Sequence, residues 1–521
     1  MWIQKPVLQG YPSRSSLTRL SLPLLGVTLL SGCLSDAYTE PAQPNTAETL
    51  ALGDGLYTLG GTREEVLFIQ PGAQGDEPYA ELAEASVEAV VLGGEAQKLV
   101  AHPDGKRLLA LTHTRTEDFL VVLDSAKSCA LDLPVETACL QRIASRPLHD
   151  VLEISPSGRY ALSYISSEAA SNGADGVVNL NQVVIYDLQS GESLASTVGY
   201  GPQQIRFAEN GDTPRAILLT RTSMAVVELE TGVAVTRELS VSSSSPVYPS
   251  GLVVTGDEHY ALVTFEGRSD LYTLDLTQSN LPINILALSA APKSLVRSTS
   301  GERTALLSSN GLGVDVVEHA DLSITHYELS RAMSELEALP GREQVLLTRP
   351  NQSERLSYVL DLSREKLTGW THESGYAAVD VSPDGGTLVF RYPVGSGGSG
   401  PLAYENAVGI LRLELGDKQP IPLLLGGVPE AVLFLAGSSS LPVVATLFSN
   451  ETYGYVATLS TETLTAQTVE VLGGPTRLFQ LPGDGRLVTE YSRPLGLLGV
   501  MPADDLSPVQ FFSGYRAAGL N

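Results

Sequence analysis

Tryptophan, cysteine and long apolar segments are all scarce in this chain of 521 residues. The only tryptophans are Trp2 and Trp370, so folds whose repeat unit requires a tryptophan are excluded. The three cysteines leave room for one intramolecular pair and one single cysteine. After residue 32, no segment reaches the roughly eighteen consecutive apolar residues expected of a transmembrane helix.

Basic side chains are also in the minority. The chain has 33 Lys and Arg against 59 Asp and Glu, for a formal net charge of −26. An acidic surface of this size argues against binding to nucleic acid or to anionic membrane surfaces, because both require clustered basic groups. The acidic residues are scattered rather than gathered in a tail, which favours a role in solubility.

Recognisable catalytic motifs are missing as well. No two histidines have metal-ligand spacing, and the chain lacks the nucleophile elbow GxSxG and the Walker A motif. Residues 395–400 (GSGGSG) match GxGxxG, but no helical pattern follows them, so a flexible loop is indicated. We therefore assign no catalytic residue, no metal ligand and no cofactor, and an enzyme is the less favoured interpretation.

A repeat fills most of the chain. Ten times, a short apolar strand leads to a glycine-centred turn and is followed by further apolar strands, at intervals of 40 to 53 residues. The turn glycines are Gly55, Gly105, Gly158, Gly211, Gly256, Gly301, Gly341, Gly385, Gly437 and Gly485. A period in this range, filled with short strands, predicts a β-propeller.

The third unit shows the predicted pattern of four strands. Val151–Ile154, Tyr160–Ile165, Gln182–Leu188 and Leu194–Val198 are rich in β-branched and aromatic residues. Glycine and proline bound them, and no helical period is present. The nearly continuous apolar character fits strands buried on both faces between neighbouring blades.

The motifs of this repeat resemble a known group of propellers. Val183–Leu188, Gly191, Gly201-Pro202 and Gly211 together resemble the YVTN-type β-propeller repeat. Ser382–Gly385 and His102–Gly105 are similar to the SPDG turn of that group and of TolB-like propellers. The resemblance covers about residues 50 to 515 and implies an all-β propeller of four-stranded antiparallel blades. It implies no one activity, since such propellers have many functions.

The number of rings is left open by the sequence. One ring of nine or ten blades is preferred, because no real linker interrupts the series. The alternative is two smaller propellers, joined at the serine-rich segment Val241–Pro246.

The N-terminal segment predicts export and a lipid anchor. Lys5, Arg14 and Arg19 precede the short apolar run Leu20–Leu30. Leu30–Cys33 (LSGC) resembles the lipobox of bacterial lipoproteins, in which cleavage before the cysteine leaves that residue lipid-modified. The resemblance implies a signal peptide at 1–32, a lipid such as palmitate on Cys33 and a bacterial cell-envelope location. Leu34 and Ser35 follow Cys33, with no Asp directly after it, and by resemblance to the sorting rule of enteric bacteria this favours the outer membrane. Residues 33–48 read as a flexible tether and 49–521 as the propeller.

The two remaining cysteines, Cys129 and Cys139, lie in an insertion of the second unit. In an oxidising compartment, a pair at this spacing predicts a local disulfide.

Two long insertions are candidate binding loops. Both lie between the second and third strands of their units, at 167–181 and 392–406. They therefore share one face and, five units apart, lie on opposite sides of a ten-bladed ring. The candidate residues are Ser167, Asn172, Asp175, Asn181, Tyr392, Gly397, Tyr404 and Asn406.

The channel offers a second candidate region. Glu153 and Asp380 fall on first strands, which line the channel of a propeller, and His149 and His372 precede first strands. We expect the carboxylates to face the channel and the two imidazoles to approach its mouth.

Two functional hypotheses follow. The first is a lipid-anchored envelope protein that binds or scaffolds another protein, a peptide or a glycan. The alternative is a hydrolase of the lactonase type with a metal ion in the channel, and the missing ligand set disfavours it.

Overall fold

The computed structural model describes residues 50–513 except for short gaps. The gaps are 53–54, 61–62, 73–85, 115–116, 126–138, 147–148, 167–178, 212, 241–246, 351–354, 394–405, 437–442, 450–453, 474, 484, 492–496, 505 and 507–508. The described residues form forty strands in ten antiparallel sheets, each made of four consecutive strands. This part of the chain contains no helix, and hence none that could cross a membrane.

Blades 1 to 5 cover the first half of the ring. Blade 1 contains β1 (Leu50–Leu52), β2 (Gly55–Leu59), β3 (Glu65–Gln70) and β4 (Ser86–Val91). Blade 2 contains β5 (Glu95–Ala101), β6 (Arg107–His113), β7 (Asp118–Asp124) and β8 (Leu140–Ala144). Blade 3 contains β9 (Val151–Ile154), β10 (Tyr160–Tyr164), β11 (Gln182–Asp187) and β12 (Glu192–Thr197). Blade 4 contains β13 (Pro202–Ala208), β14 (Arg215–Thr220), β15 (Ser223–Glu228) and β16 (Ala234–Glu238). Blade 5 contains β17 (Pro249–Val254), β18 (Tyr260–Phe265), β19 (Asp270–Asp275) and β20 (Ile283–Ala287).

Blades 6 to 10 repeat the same plan. Blade 6 contains β21 (Pro292–Arg297), β22 (Arg303–Ser308), β23 (Gly313–Glu318) and β24 (Ile324–Glu328). Blade 7 contains β25 (Glu335–Ala338), β26 (Gln344–Thr348), β27 (Leu356–Asp361) and β28 (Lys366–Thr371). Blade 8 contains β29 (Ala378–Val381), β30 (Thr387–Tyr392), β31 (Ala407–Arg412) and β32 (Ile421–Leu424). Blade 9 contains β33 (Val428–Leu435), β34 (Val443–Ser449), β35 (Gly454–Ser460) and β36 (Ala466–Val471). Blade 10 contains β37 (Pro475–Gln480), β38 (Leu487–Tyr491), β39 (Leu497–Met501) and β40 (Gln510–Ser513).

The strands form where the sequence pattern predicts them. In blade 3, the middle strands β10 and β11 are buried over most of their length, whereas most of β12 is exposed. The turn between β11 and β12 uses Gly191 at φ 77°, a conformation that glycine adopts without steric cost. The four predicted strands of this unit are confirmed to within two residues.

One predicted turn glycine lies in a strand instead. Gly55 begins β2 and pairs with Leu52 across a short hairpin. Most of the other turn glycines have positive φ, namely Gly105, Gly158, Gly301, Gly341, Gly385 and Gly485. Gly437 lies outside the described residues.

Apolar side chains fill the spaces between neighbouring blades. Among the described residues there are ten clusters of buried side chains, and each combines residues from two adjacent blades. One of them joins Leu56 and Leu67 of blade 1 to Val488 and Leu498 of blade 10. An open row of ten blades has nine interfaces, so the tenth cluster closes the ring.

The molecule is therefore a single ten-bladed propeller, and the alternative of two smaller rings is wrong. The segment proposed as a joint, 241–246, lies outside the described residues. The blades on either side of it, 4 and 5, share a cluster that includes Leu219, Leu252 and Phe265. Burial of these side chains favours contact between the two blades.

Loops leave the ring on two faces. We call the face with the second-to-third-strand loops and the blade-to-blade connections the top face, and the other the bottom face. First strands of adjacent blades approach each other at the channel, and fourth strands lie at the rim. Both long insertions thus start from the top face, in blades 3 and 8.

Polar contacts between turns connect adjacent blades on the bottom face. The pairs of residues are His102 and Gly158, Ser157 and Glu209, Asn210 and Glu258, Gly256 and Gly301, Ser300 and Glu343, Arg342 and Asp384, Ala436 and Gln480, and Arg486 and Gly72. The repeated turn therefore links adjacent blades as well as reversing the chain direction.

Candidate functional site

Five of the eight candidate loop residues lie outside the described residues. They are Ser167, Asn172, Asp175, Gly397 and Tyr404. The other three, Asn181, Tyr392 and Asn406, mark the ends of the two insertions and differ in their surroundings.

Asn181 is exposed on the top face and held by backbone contacts. Its carbonyl accepts a hydrogen bond from the Val198 N–H at 2.7 Å. The neighbouring Leu180 carbonyl accepts one from the Gly201 N–H at 2.9 Å. The end of the first insertion is therefore fixed to the connection between blades 3 and 4.

Tyr392 is buried rather than displayed. Its side chain is 3% exposed, and its hydroxyl lies 3.1 Å from His372 Nδ1. Its role at the start of the second insertion is that of an anchor. At the other end, the carbonyl of Asn406 accepts a hydrogen bond from the Leu425 N–H at 2.6 Å.

His372 and His149, which we expected to approach the channel mouth, are buried. Both are 2% exposed. His372 Nε2 is hydrogen-bonded to Ser357 Oγ at 2.9 Å, and its ring packs against Tyr376 and Phe390. Burial lowers the pKa of His372 to about 3 and that of His149 to about 4, so both imidazoles are neutral at pH 7. These side chains are part of the interior.

Two other histidines are buried although they lie beside turns. His102 and His319 flank turns, where exposed histidines are common, yet they are 3% and 4% exposed. His319 Nδ1 is hydrogen-bonded to the Gly301 carbonyl at 2.6 Å. The two rings support turns within and between blades.

Two exposed tyrosines lie on the top face. Tyr200 is 51% exposed and Tyr248 46% exposed, in the connections that follow blades 3 and 4. Arg221 connects them: its backbone N–H donates to the Tyr200 carbonyl at 3.0 Å, and its guanidinium carbon lies 6.0 Å from the centre of the Tyr248 ring. We call Tyr200, Arg221 and Tyr248 the tyrosine surface.

No motif in the sequence predicts the tyrosine surface. Each of its members is a single residue in a loop, and the three come from three different connections. The only available signal was a tyrosine placed next to the turns Gly201-Pro202 and Pro249.

A concave site on the top face contains a histidine and a carboxylate. His326 Nδ1 donates to Asp315 Oδ1 at 2.7 Å, and Ser289 Oγ donates to Asp315 Oδ2 at 2.8 Å. The cavity of about 360 Å³ between blades 5 and 6 is bordered by His326 and Glu328. The serine contacts the carboxylate and not the imidazole, so this arrangement orients His326 without activating a nucleophile.

Of the two predicted channel carboxylates, Asp380 has a cationic partner. Its Oδ2 lies 2.9 Å from Arg391 Nε, and Arg391 Nη1 donates to the Glu430 carbonyl of blade 9 at 2.6 Å. Burial raises the pKa of Asp380, and Arg391 acts in the opposite direction. Glu153 is exposed on β9.

The described residues contain no group of three or more His, Cys, Asp or Glu side chains arranged to hold a metal ion. The hydrolase hypothesis requires such a group in the channel and gains no support from this part of the chain.

Cys139 is 1% exposed and packs in the cluster between blades 1 and 2. Cys129 lies outside the described residues, so their disulfide stays a prediction.

No protein-family model matches the chain, and no curated protein sequence is significantly similar to it. Solved structures with a similar fold include dihydro-heme d1 dehydrogenase NirN, with 13% identity over 72% of this chain and 74% of that one and a TM-score of 0.41. A eukaryotic initiation factor has 13% identity over 84% and 98%, with a TM-score of 0.48. Apo AztD from Citrobacter koseri has 15% identity over 63% and 86%, with a TM-score of 0.36. Similarity at this level carries no argument about the ligand or activity of this chain.

Proposed function

We propose that this chain is a lipid-anchored binding protein of the bacterial cell envelope that holds a protein partner on its top face. The observation that carries the proposal is the tyrosine surface, in which an arginine connects two half-exposed tyrosines through the backbone carbonyl of Tyr200 and the ring of Tyr248. Tyrosine and arginine are enriched among the residues that dominate protein–protein binding energies.

Tyrosine side chains favour binding because they provide a large contact area at a small cost in conformational entropy. A tyrosine ring buries much apolar surface with few rotatable bonds, and its hydroxyl still finds a polar partner. The backbone of Arg221 is held by Tyr200, and its guanidinium group lies within cation–π distance of the Tyr248 ring, which favours one side-chain orientation before binding. The rigid blades beneath supply a fixed platform.

The described end of the first insertion is attached to the tyrosine surface. This end, at Asn181, is hydrogen-bonded to the connection that carries Tyr200. Loops on a rigid scaffold are common positions for recognition residues. A lipid on Cys33 and the polar tether that follows it keep this surface near a membrane, where envelope partners are concentrated.

A comparative pull-down from detergent-solubilised envelopes tests the proposal. The baits are the unchanged chain, the double variant Tyr200→Ser with Tyr248→Ser, and a chain lacking residues 167–178. Val233→Ser is the matched control, since Val233 is 56% exposed on the bottom face of blade 4. We expect a partner that the unchanged chain and the control retain, and that the double variant loses by about tenfold or more.

Two further measurements make the result decisive. Purified partner and propeller should bind directly, and the double variant should raise the dissociation constant chiefly through faster dissociation. If all baits retain the same proteins in equal amounts, the top face of blades 3 to 5 is not the binding surface and the proposal fails.

A further inference from the structure

A groove lined by residues of blades 7 and 8 includes the outermost strand of blade 7, β28. Residues Lys366, Thr368 and Trp370 occupy alternate positions of β28 and therefore project from the same face of that strand. Opposite them across the groove lies the turn 413–418 of blade 8. The volume of the groove is about 510 Å³, within the roughly 300–1,000 Å³ of small-molecule sites.

Strand pairing in blade 7 places the residues that line the groove in order from the inner strand β26 to the outer strand β28. Gln344 pairs with Asp361, which pairs with Lys366, so a row of polar side chains runs outward along one edge. Val359 pairs with Thr368 in the next row, and Trp370 lies at the far end of β28. The blade 7 wall of the groove is thus polar at Lys366 and aromatic at Trp370.

Trp370 is held in position and is only partly buried. Its Nε1–H donates to the carbonyl of Asp417 at 3.1 Å, which bridges the two blades. The ring packs beside the cluster of blades 7 and 8 and borders the groove with its remaining surface. A fixed indole offers a flat apolar surface at little conformational cost.

The inner end of the groove has acceptors in need of donors. Gln344 Nε2 donates to Asp361 Oδ2 at 3.1 Å, whereas Gln344 Oε1 is buried with no hydrogen-bond partner among the described residues. Glu343 borders the adjoining cavity of about 400 Å³, and its Oε2 is also buried with no hydrogen-bond partner among the described residues. Buried acceptors of this kind are satisfied by water or by a ligand that supplies hydroxyl groups.

Cationic groups at the mouth of the groove are available to pair with an anion. The carboxylates of Asp417 and Glu414 are already paired, with Arg412 and Arg342 respectively. Arg364 is 80% exposed and lies 3.9 Å from Asp361, and within the described residues Lys366 and Lys418 form no ion pair. In a chain with net charge −26, this concentration of available positive charge is a local exception.

We propose that this groove binds an acidic saccharide of one or two sugar rings. The C–H face of a sugar ring packs on Trp370, its hydroxyl groups donate to acceptors at the inner end, and its carboxylate lies between Lys366 and Lys418. Each part of the ligand therefore matches a separate part of the groove. The site is independent of the tyrosine surface, which lies on the top face of other blades.

Fluorescence of the full chain tests this assignment directly. With Trp2→Phe, Trp370 is the sole indole, so its emission reports on this groove alone. The probes are cellobiouronic acid and cellobiose, which differ by one carboxylate. We expect a saturable change with the acid, an affinity for cellobiose at least about tenfold weaker, and a weakening of the acid's binding as salt rises.

Variants locate the carboxylate. Lys366→Ala combined with Lys418→Ala should reduce affinity for the acid by about tenfold and leave cellobiose unchanged. Lys106→Ala, an exposed lysine of blade 2, is the matched control and should change neither. The proposal is overturned by no saturable change up to about 20 mM acid, by equal affinity for both sugars, or by full binding in the double lysine variant.

Discussion

Arg486 of blade 10 donates a hydrogen bond from Nη1 to the carbonyl of Gly72 in blade 1, at 2.7 Å and 414 residues away along the chain. Its Nη2 donates to the adjacent Pro71 carbonyl at 3.0 Å. The two bonds lie at the interface where the last blade meets the first. The interface between blades 10 and 1 is therefore held by hydrogen bonds in addition to its apolar cluster.

Replacement of Arg486 by glutamine should weaken this interface. Hydrogen bonds from a charged donor contribute about 1.5–3 kcal/mol, so we expect the free energy of unfolding to fall by about 2 kcal/mol. Urea unfolding measures the change. Arg268→Gln is the control, because the exposed pair of Arg268 with Asp270 is worth less than about 1 kcal/mol. Equal losses in the two variants would contradict a special role for the closing interface.

Two glycines at equivalent turns should respond differently to alanine. A Cβ on Gly256 would lie 2.8 Å from the Cα of Gly301, whose turn it contacts, whereas a Cβ on Gly211 meets nothing within 4 Å. Neither Gly256 nor Gly211 has positive φ, so the comparison isolates steric contact. We expect Gly256→Ala to cost about 2 kcal/mol and Gly211→Ala less than about 0.5 kcal/mol in thermal or urea unfolding. A neutral Gly256→Ala would show that the two turns separate easily.

Stability should fall as the pH drops from 6.5 to 5. His372 has a folded-state pKa of about 3, below its ordinary value of 6.5, so in this range the unfolded chain binds a proton that the folded chain does not. The stabilisation is complete above pH 6.5 and is lost as the pH falls toward 3. One such histidine contributes about 2 kcal/mol between pH 6.5 and 5.

His372→Gln should reduce that pH dependence by about this amount. The quantity compared is the difference between the unfolding free energies at pH 7 and pH 5, so any loss common to both values cancels. His259→Gln removes an imidazole whose side chain is 59% exposed and serves as the control. An unchanged difference in His372→Gln would show that His372 is protonated in the folded state at pH 5.

Cys33→Ser should abolish the lipid anchor. The chain with Cys33 should incorporate labelled palmitate and sediment with membranes, because burial of acyl chains supplies the membrane affinity. The serine variant should incorporate none and appear in the soluble fraction. Cys139→Ser should keep the label, and continued labelling of Cys33→Ser would refute the lipobox interpretation.

The repeat was readable from the sequence because strand, turn and burial follow local rules. The strands around Val183 and Tyr160 appear where alternating turns and apolar runs place them. Ring closure was not readable, since it depends on contacts such as Leu56 with Val488, more than four hundred residues apart. Gly55 was misplaced because its hairpin is short and it pairs as the first residue of a strand.

The candidate sites were less predictable for the same physical reason. His372 looked like a loop residue, and its burial arises from Phe390 and Tyr376 in another blade. The groove at Trp370 has one wall from β28 and another from the turn 413–418. Neither half has a recognisable motif, and the two meet only where blades 7 and 8 pack together.

Each described blade uses four consecutive strands of the chain, including the last, so the ring closes without a strand borrowed from the other end. Every hydrogen-bond ladder is thus completed within its own stretch of about fifty residues or fewer. Duplication or deletion of one such stretch leaves the hydrogen bonds within all other blades intact and changes only the angle at which neighbouring blades pack. The size of this ring is therefore a quantity that tandem gene duplication can adjust one blade at a time.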